Sequence, residues 1–263
     1  MPVKPDLLPV QRQQQLLLQL ASKEVARVSE LASSLGVHEI TIRRDLDELA
    51  ASGRVERVHG GARLAGRTRE EISYGVRAAA EVEAKVVIAA VACGLIEPGE
   101  TIGLDASTTA LALARRLVAA GLDLRNVVTT GLDAATSLAE SDLPFTLVGG
   151  SFHSPARSFV GPLANSSLDR LHCSKVFFSA KGYSPAAGFT DAYPPEVECK
   201  EHLIASGGKV IALLDHSKFT VEALVTIVRE DQVDLLITDL EPQAQIRAAL
   251  ERAGVEILVA GTP

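Results

Sequence analysis

The sequence predicts an α/β protein in which a small N-terminal winged helix-turn-helix domain precedes a larger, mostly parallel α/β domain. Three observations carry this expectation. Near the N-terminus, two helical patterns meet at Gly36 and are followed by a short alternating run ending in Gly60-Gly61. Beyond residue 80, β-branched apolar runs alternate with helical stretches, the pattern of a parallel sheet covered on both faces. Charge is also uneven: 11 Lys+Arg against 8 Asp+Glu through residue 69, net +3, and 15 against 25 beyond it, net −10. A basic head on an acidic body suggests a phosphate-facing module joined to something that need not touch nucleic acid.

At 263 residues, with 47% hydrophobic and 22% charged residues, two domains are expected. Val10, Leu16, Leu17 and Leu20 are spaced for a first helix with one buried face. A second begins near Ser29, a plausible N-cap with Glu30 in the first turn, and runs to Leu35. After Gly36, a third spans His38 to Ser52, with Ile42, Leu46 and Leu49 on one face and Gly53 placed to stop it. Arg54 to Gly61 alternates as a wing. The expected division is residues 1–67 for this domain, 68–79 for a linker and 80–263 for the α/β domain. There a helix through Val82–Leu95 ends at Pro98-Gly99, and strands are expected at 101–104, 127–129, 145–148, 176–178, 210–214, 235–238 and 256–259.

Cys93, Cys173 and Cys199 are scattered, which fits reduced thiols and leaves no clustered ligand set. No metal and no cofactor are therefore expected. No apolar run reaches the roughly 18 residues of a membrane span. The opening residues lack the basic stretch and apolar core of a signal peptide, so a cytoplasmic, membrane-free protein is expected.

Burying Ile42, Leu46 and Leu49 turns Thr41, Arg43 and Arg44 outward. Arginine can bind phosphates or grip guanine with a two-pronged fork, and threonine can touch a phosphate or a thymine methyl. Arg54, Arg57 and His59 on the wing suit backbone phosphates. A plainly solvated helix face would carry the same arginines. The local sequence Val37-His38-Glu39-Ile40-Thr41-Ile42-Arg43-Arg44-Asp45-Leu46-Asp47-Glu48-Leu49, followed by Gly53 and Arg57-Val58-His59-Gly60-Gly61-Ala62, closely resembles the N-terminal signature of the DeoR family of bacterial regulators. It departs at His38, where the family usually has a capping serine; His38 loosens the first turn, itself reaches DNA, or is simply a tolerated surface histidine.

The resemblance extends over about residues 10–260. It implies an effector-binding domain resembling ribose-5-phosphate isomerase, with ligand loops at the carboxyl ends of the strands. Asp105-Ala106-Ser107-Thr108-Thr109 follows a strand and opens a helix; its hydroxyls and free N–H groups can cap that helix or cradle an anion. The resemblance implies a phosphate loop, although the family often has glycine at Ala106. Thr129 and the pair Gly149-Gly150 end other strands and either make turns or admit a ligand. Lys181 lies at a strand's carboxyl end, where open α/β sheets collect ligands. Gly188-Phe189-Thr190-Asp191 and Glu196-Val197-Glu198-Cys199-Lys200 resemble the family's effector loop and the following helix start. Glu196 and Lys200, four apart, can equally form a simple helical ion pair. Asp215-His216-Ser217-Lys218 resembles an Asp-x-Ser-Lys element. There Asp215 can accept from sugar hydroxyls while Lys218 neutralises phosphate, or the two can bridge each other.

These features imply a non-enzymatic transcription regulator, a repressor of sugar or polyol catabolism. It would be a homodimer or homotetramer on double-stranded operator DNA, released by a small phosphorylated sugar or polyol. The alternative is a sugar-phosphate isomerase with a DNA-binding appendage. No catalytic residues are assigned, and Gly207-Gly208-Lys209 precedes a strand in the wrong order for an isomerase's lysine-glycine run.

Overall fold

The computed structural model describes residues 8–21, 25–65, 74, 77, 78 and 80–261. The chain divides into two compact units, 1–79 and 80–263. Most of the linker expected at 68–79 lies outside the described residues.

In the first unit the order is α1 (Pro9–Ala21), β1 (Ala26–Arg27), α2 (Val28–Leu35), α3 (Glu39–Ala51), β2 (Val55–Val58) and β3 (Gly61–Leu64). The strands form an antiparallel sheet in the order β1-β3-β2, which makes the wing three-stranded rather than a lone hairpin. That pairing explains a departure from expectation at α2. Ala26 and Arg27 are held extended against β3, so the helix starts at Val28 with Arg27 in the cap position, and Ser29 lies inside the first turn. Gly36 closes α2 in the left-handed conformation (φ 68°), its N–H donating to the Ala32 carbonyl. Leu16, Leu17, Leu20, Leu31, Ile42, Leu46 and Leu49 share one core with wing residues Val55, Ala62 and Leu64. Within it, Arg12 of α1 forks onto buried Asp45 of α3 at 2.5 and 3.0 Å. This two-pronged bond sets how α3 lies on α1.

The second unit runs α4 (Val82–Gly94), β4 (Thr101–Leu104), α5 (Thr108–Ala120), β5 (Asn126–Thr129), α6 (Leu132–Leu138), β6 (Phe145–Leu147), β7 (Ser151–His153), β8 (Ser158–Val160) and α7 (Pro162–Leu168). It continues β9 (Cys173–Phe178), β10 (Gly182–Ser184), β11 (Gly188–Asp191), α8 (Pro194–Ala205), β12 (Gly207–Leu213), β13 (Val225–Val228), β14 (Leu235–Thr238), α9 (Ala244–Arg252) and β15 (Glu256–Val259). Seven strands pair in parallel in the order β15-β14-β12-β9-β4-β5-β6. These are the seven apolar runs expected from the sequence. Alternation along them feeds two cores: Val176, Phe178, Val210 and Ala212 face one, Phe177, Ile211 and Leu213 the other. No described helix is long and apolar enough to cross a membrane.

The hairpin β7-β8 and the small antiparallel sheet β10-β11-β13 were not expected. Gly188–Asp191, read as a loop, is strand β11. Strand order reverses at β4 and β9: the chain leaves β4 toward β5 and β6, and leaves β9 toward β12, β14 and β15. Such a switch point opens a crevice outside the carboxyl ends of the strands, the usual ligand position in open α/β sheets.

Candidate functional site

On α3 the buried face is Ile42, Asp45, Leu46 and Leu49. His38, Glu39, Ile40, Arg43, Arg44, Asp47 and Glu48 are exposed, and Thr41 is half-buried. His38 occupies the N-cap with extended backbone, and its ring makes no capping hydrogen bond. The arginines are paired along their own helix: Arg43 Nη2 lies 3.1 Å from Glu39 Oε2, and Arg44 Nε lies 3.2 Å from Glu48 Oε1. Arg57 on the wing reaches Asp47 at 3.4 Å, tying wing to helix. Arg54 and His59 are exposed, and no ion pair engages either among the described residues. Arg63, bound to Glu56 at 2.6 Å, adds a wing arginine that sequence reading passed over. Exposed ion pairs of this kind hold weakly and exchange readily for a phosphate or a base edge.

In the second unit, the residues at the switch point build a buried polar cluster. Asp105, at the end of β4, is fully buried. Its Oδ1 accepts from the Ser107 amide at 3.1 Å and hydroxyl at 2.6 Å, and its Oδ2 from the Ser179 amide beyond β9 at 3.0 Å. The carboxylate thus staples the two strands that part at the switch point. Ser107 also caps α5 by accepting from Ala110 N–H at 3.0 Å, so its hydroxyl is spent on structure. Thr108, half-buried, and Thr109, buried, leave hydroxyls and amides with no hydrogen bond among the described residues.

Lys200 is the hub. Its Nζ donates to Asp191 Oδ2 at 2.8 Å and to the Ser179 carbonyl at 2.9 Å, and lies 3.3 Å from Asp105 Oδ2. The helical pair with Glu196 suggested by their spacing does not form; Lys200 turns to Asp191 instead. Burial alone would push its ammonium toward neutrality, but Asp191, Asp105 and Glu196 outweigh that and hold it charged. Asp191 is likewise kept ionised against burial by Lys200 and by Lys181, whose Nζ stands 3.1 Å away and is partly exposed. Asp191 is the central residue that sequence reading did not assign; it lay within Gly188–Asp191 without a periodic signal to single it out.

Glu196 is 6% exposed, and its carboxylate makes no hydrogen bond or ion pair among the described residues. Burial raises its pKa, with Lys200 opposing. An acid raised in the folded state adds no penalty below its unfolded pKa and costs stability as pH climbs above it. Glu196→Gln, neutral at every pH, should therefore raise the melting temperature at pH 8 and give no gain at pH 4. Thermal unfolding at both pH values checks this.

Asp215 ends the β12 segment. Its Oδ1 accepts from the Ser217 amide at 3.0 Å and from the Ser217 hydroxyl, whereas its Oδ2 is buried without a hydrogen bond. Lys218 Nζ stands 3.8 Å from that oxygen, an ion pair too long for a hydrogen bond, so both groups keep capacity for a ligand. Other candidates have structural duties. Thr129 Oγ1 accepts from Gly131 N–H at 3.1 Å in the turn after β5. Gly150 lets the β7-β8 hairpin close, since a Cβ there would stand 2.7 Å from the Val160 carbonyl oxygen; Gly149 faces open space. Gly207-Gly208-Lys209 starts β12, at the opposite end of the strand from Asp215.

A winged helix-turn-helix joined to a parallel α/β domain with a buried polar cluster at its switch point is the architecture of two-domain regulators that couple a DNA-binding head to a sensor. The DeoR-like helix-turn-helix domain matches residues 12–68 and the DeoR C-terminal sensor domain matches residues 80–240. The chain belongs to the DeoR family. It is 34% identical to the HTH-type transcriptional regulator GolR of Listeria innocua over 97% of this chain and all of that one. It is 31% identical to the lactose phosphotransferase system repressor of Streptococcus mutans over 84% of this chain and 88% of that one. Among solved structures, ribose 5-phosphate isomerase A from Neisseria gonorrhoeae overlaps 53% of this chain and 54% of its own at 17% identity and a TM-score of 0.40, too partial a likeness to bear on chemistry.

Proposed function

We propose that the protein is a cytoplasmic transcriptional repressor that binds operator DNA through α3 and the wing and is released by a small phosphorylated sugar or polyol. The observation that carries the proposal is the division of α3, whose buried face is fixed by the core and by Arg12–Asp45 while Arg43 and Arg44 stand outward. His38 and Thr41 flank them, and Arg54, Arg57 and His59 supply phosphate contacts from the wing. One head offers few base contacts, so a homodimer or homotetramer spans paired half-sites.

In the sensor domain, Lys181 and Lys218 with the free amides of Thr108 and Thr109 suit a phosphate, and Asp215 Oδ2 and Glu196 suit hydroxyls. Asp105 and Lys200 hold this arrangement together, since their polar atoms are already committed to one another and to the strand ends. Effector binding favours a state whose head spacing misses the half-sites. The match to a DeoR-like helix-turn-helix and a DeoR sensor domain favours regulation over isomerisation.

Lys218→Ala tests the site. The variant should bind operator as the wild type does, yet need roughly tenfold more sugar phosphate for release, the loss of one charge-assisted contact. A gel-shift titration with a panel of sugar and polyol phosphates measures this; an unaltered release curve removes Lys218 from the site, and turnover of ribose 5-phosphate by the purified protein favours the isomerase reading.

A further inference from the structure

Ile40 is the second residue of α3 and is 77% exposed. It lies outside the head's hydrophobic core, so its side chain contributes no packing to the fold. The other exposed positions of the helix are the charged Glu39, Arg43, Arg44, Asp47 and Glu48 and, at its last residue, the small Ala51. Ile40, Arg43, Arg44 and Asp47 follow the i, i+3, i+4, i+7 spacing and so form one stripe on a single face. A β-branched residue is also a poorer helix former than the Glu and Arg residues beside it, so neither folding nor helix propensity accounts for an isoleucine here.

The stripe is the one that meets DNA in the reading proposed above, and this inference rests on that reading. The first turn of a recognition helix reaches deepest toward base edges. In the major groove the thymine 5-methyl is the apolar group on offer, whereas the other base-edge positions present donors and acceptors. An isoleucine has no hydrogen bond to give, and would strand polar edges without water if placed over any other base. We infer that Ile40 is a specificity-determining residue that packs on a thymine methyl in the operator, while Arg43 and Arg44, exchanging Glu39 and Glu48 for DNA, position the helix.

The test starts from a duplex enriched out of a randomised pool by the full-length protein. Each thymine is replaced in turn by deoxyuridine, which removes only the 5-methyl, and affinities are measured for wild type, Ile40→Ala and Ile40→Val. At one thymine position the wild type should lose about three- to tenfold on loss of the methyl, the range for one buried methyl-sized group. Ile40→Ala should bind the thymine and uracil duplexes alike at that position, and Ile40→Val should recover part of the preference. Because Ile40 is exposed, its variants should unfold at the wild-type temperature. If a duplex is enriched but no position discriminates, or Ile40→Ala keeps the wild-type preference everywhere, the inference about Ile40 fails while DNA binding stands. If the pool yields no duplex at all, both fail.

Discussion

The Arg43→Ala, Arg44→Ala double variant is expected to lose roughly 100-fold or more in operator affinity, on the scale of one to a few kcal/mol for each lost base or phosphate contact. Its fold should survive. The two side chains are 57% and 82% exposed, and among the described residues each is engaged only by a carboxylate one helical turn away. Exposed pairs of this spacing are worth about 0.5 kcal/mol or less. The expected pattern is therefore a collapse of binding with an unchanged melting temperature. Fluorescence anisotropy across a salt series gives a second reading: if both arginines meet phosphates, the slope of log affinity against log salt falls by about 2. A double variant within twofold of wild-type affinity would mean that α3 is not the helix that binds DNA.

The largest effect on the second unit should come from Lys200→Met. Lys200, Asp105 and Asp191 are all more than nine-tenths buried, and Nζ is the group that keeps the two carboxylates compatible. Removing one partner of a buried charged cluster costs about 3–5 kcal/mol; here Asp105 is left buried without Lys200, and Asp191 is left with the partly exposed Lys181. In a domain of this size that lowers the melting temperature by roughly 10 °C. The pH dependence has a definite sign. Asp191, held ionised in the wild type, contributes stability that is present above its unfolded pKa of about 4 and is withdrawn as pH falls below it. Without Lys200, Asp191 binds a proton more readily. The deficit of the variant should be greatest near pH 7 and narrow toward pH 4. A deficit that is small or independent of pH would show that Lys200 is not the electrostatic centre of the domain.

The parts of the architecture that rest on periodicity could be read directly from the chain. Ile42, Leu46 and Leu49 mark the inner face of α3, and apolar runs mark the seven strands of the parallel sheet, most plainly the inner ones, where burial on both faces demands apolar residues at successive positions. The small sheet β10-β11-β13 could not be read so, because Gly182–Ser184 and Gly188–Asp191 are too short and polar to carry a period, and they become strands by pairing with one another and with β13. Ser29 was a good cap by composition, but the cap position was settled by Arg27 being held against β3.

The site divides in the same way. Asp105, Lys181, Lys200, Asp215 and Lys218 are recognisable as polar residues following apolar runs or on the helix start after one. What they bond is another matter. The spacing of Glu196 and Lys200 allows a helical ion pair, yet Lys200 reaches Asp191, and Glu196 is left buried and unpaired.

The sequence by itself determined the order of the seven runs that pair in the parallel sheet, the inner and outer faces of α3, and the polar residues that follow the strand ends. All of these are local consequences of periodicity and chain connectivity. Only the tertiary structure decided which charges share one space. Asp105 and Ser179 are 74 residues apart and meet because β4 and β9 are neighbours where the strand order reverses. In a buried, poorly screened cluster a few ångströms separate a hub from a bystander, and that distance is set by packing rather than by spacing along the chain.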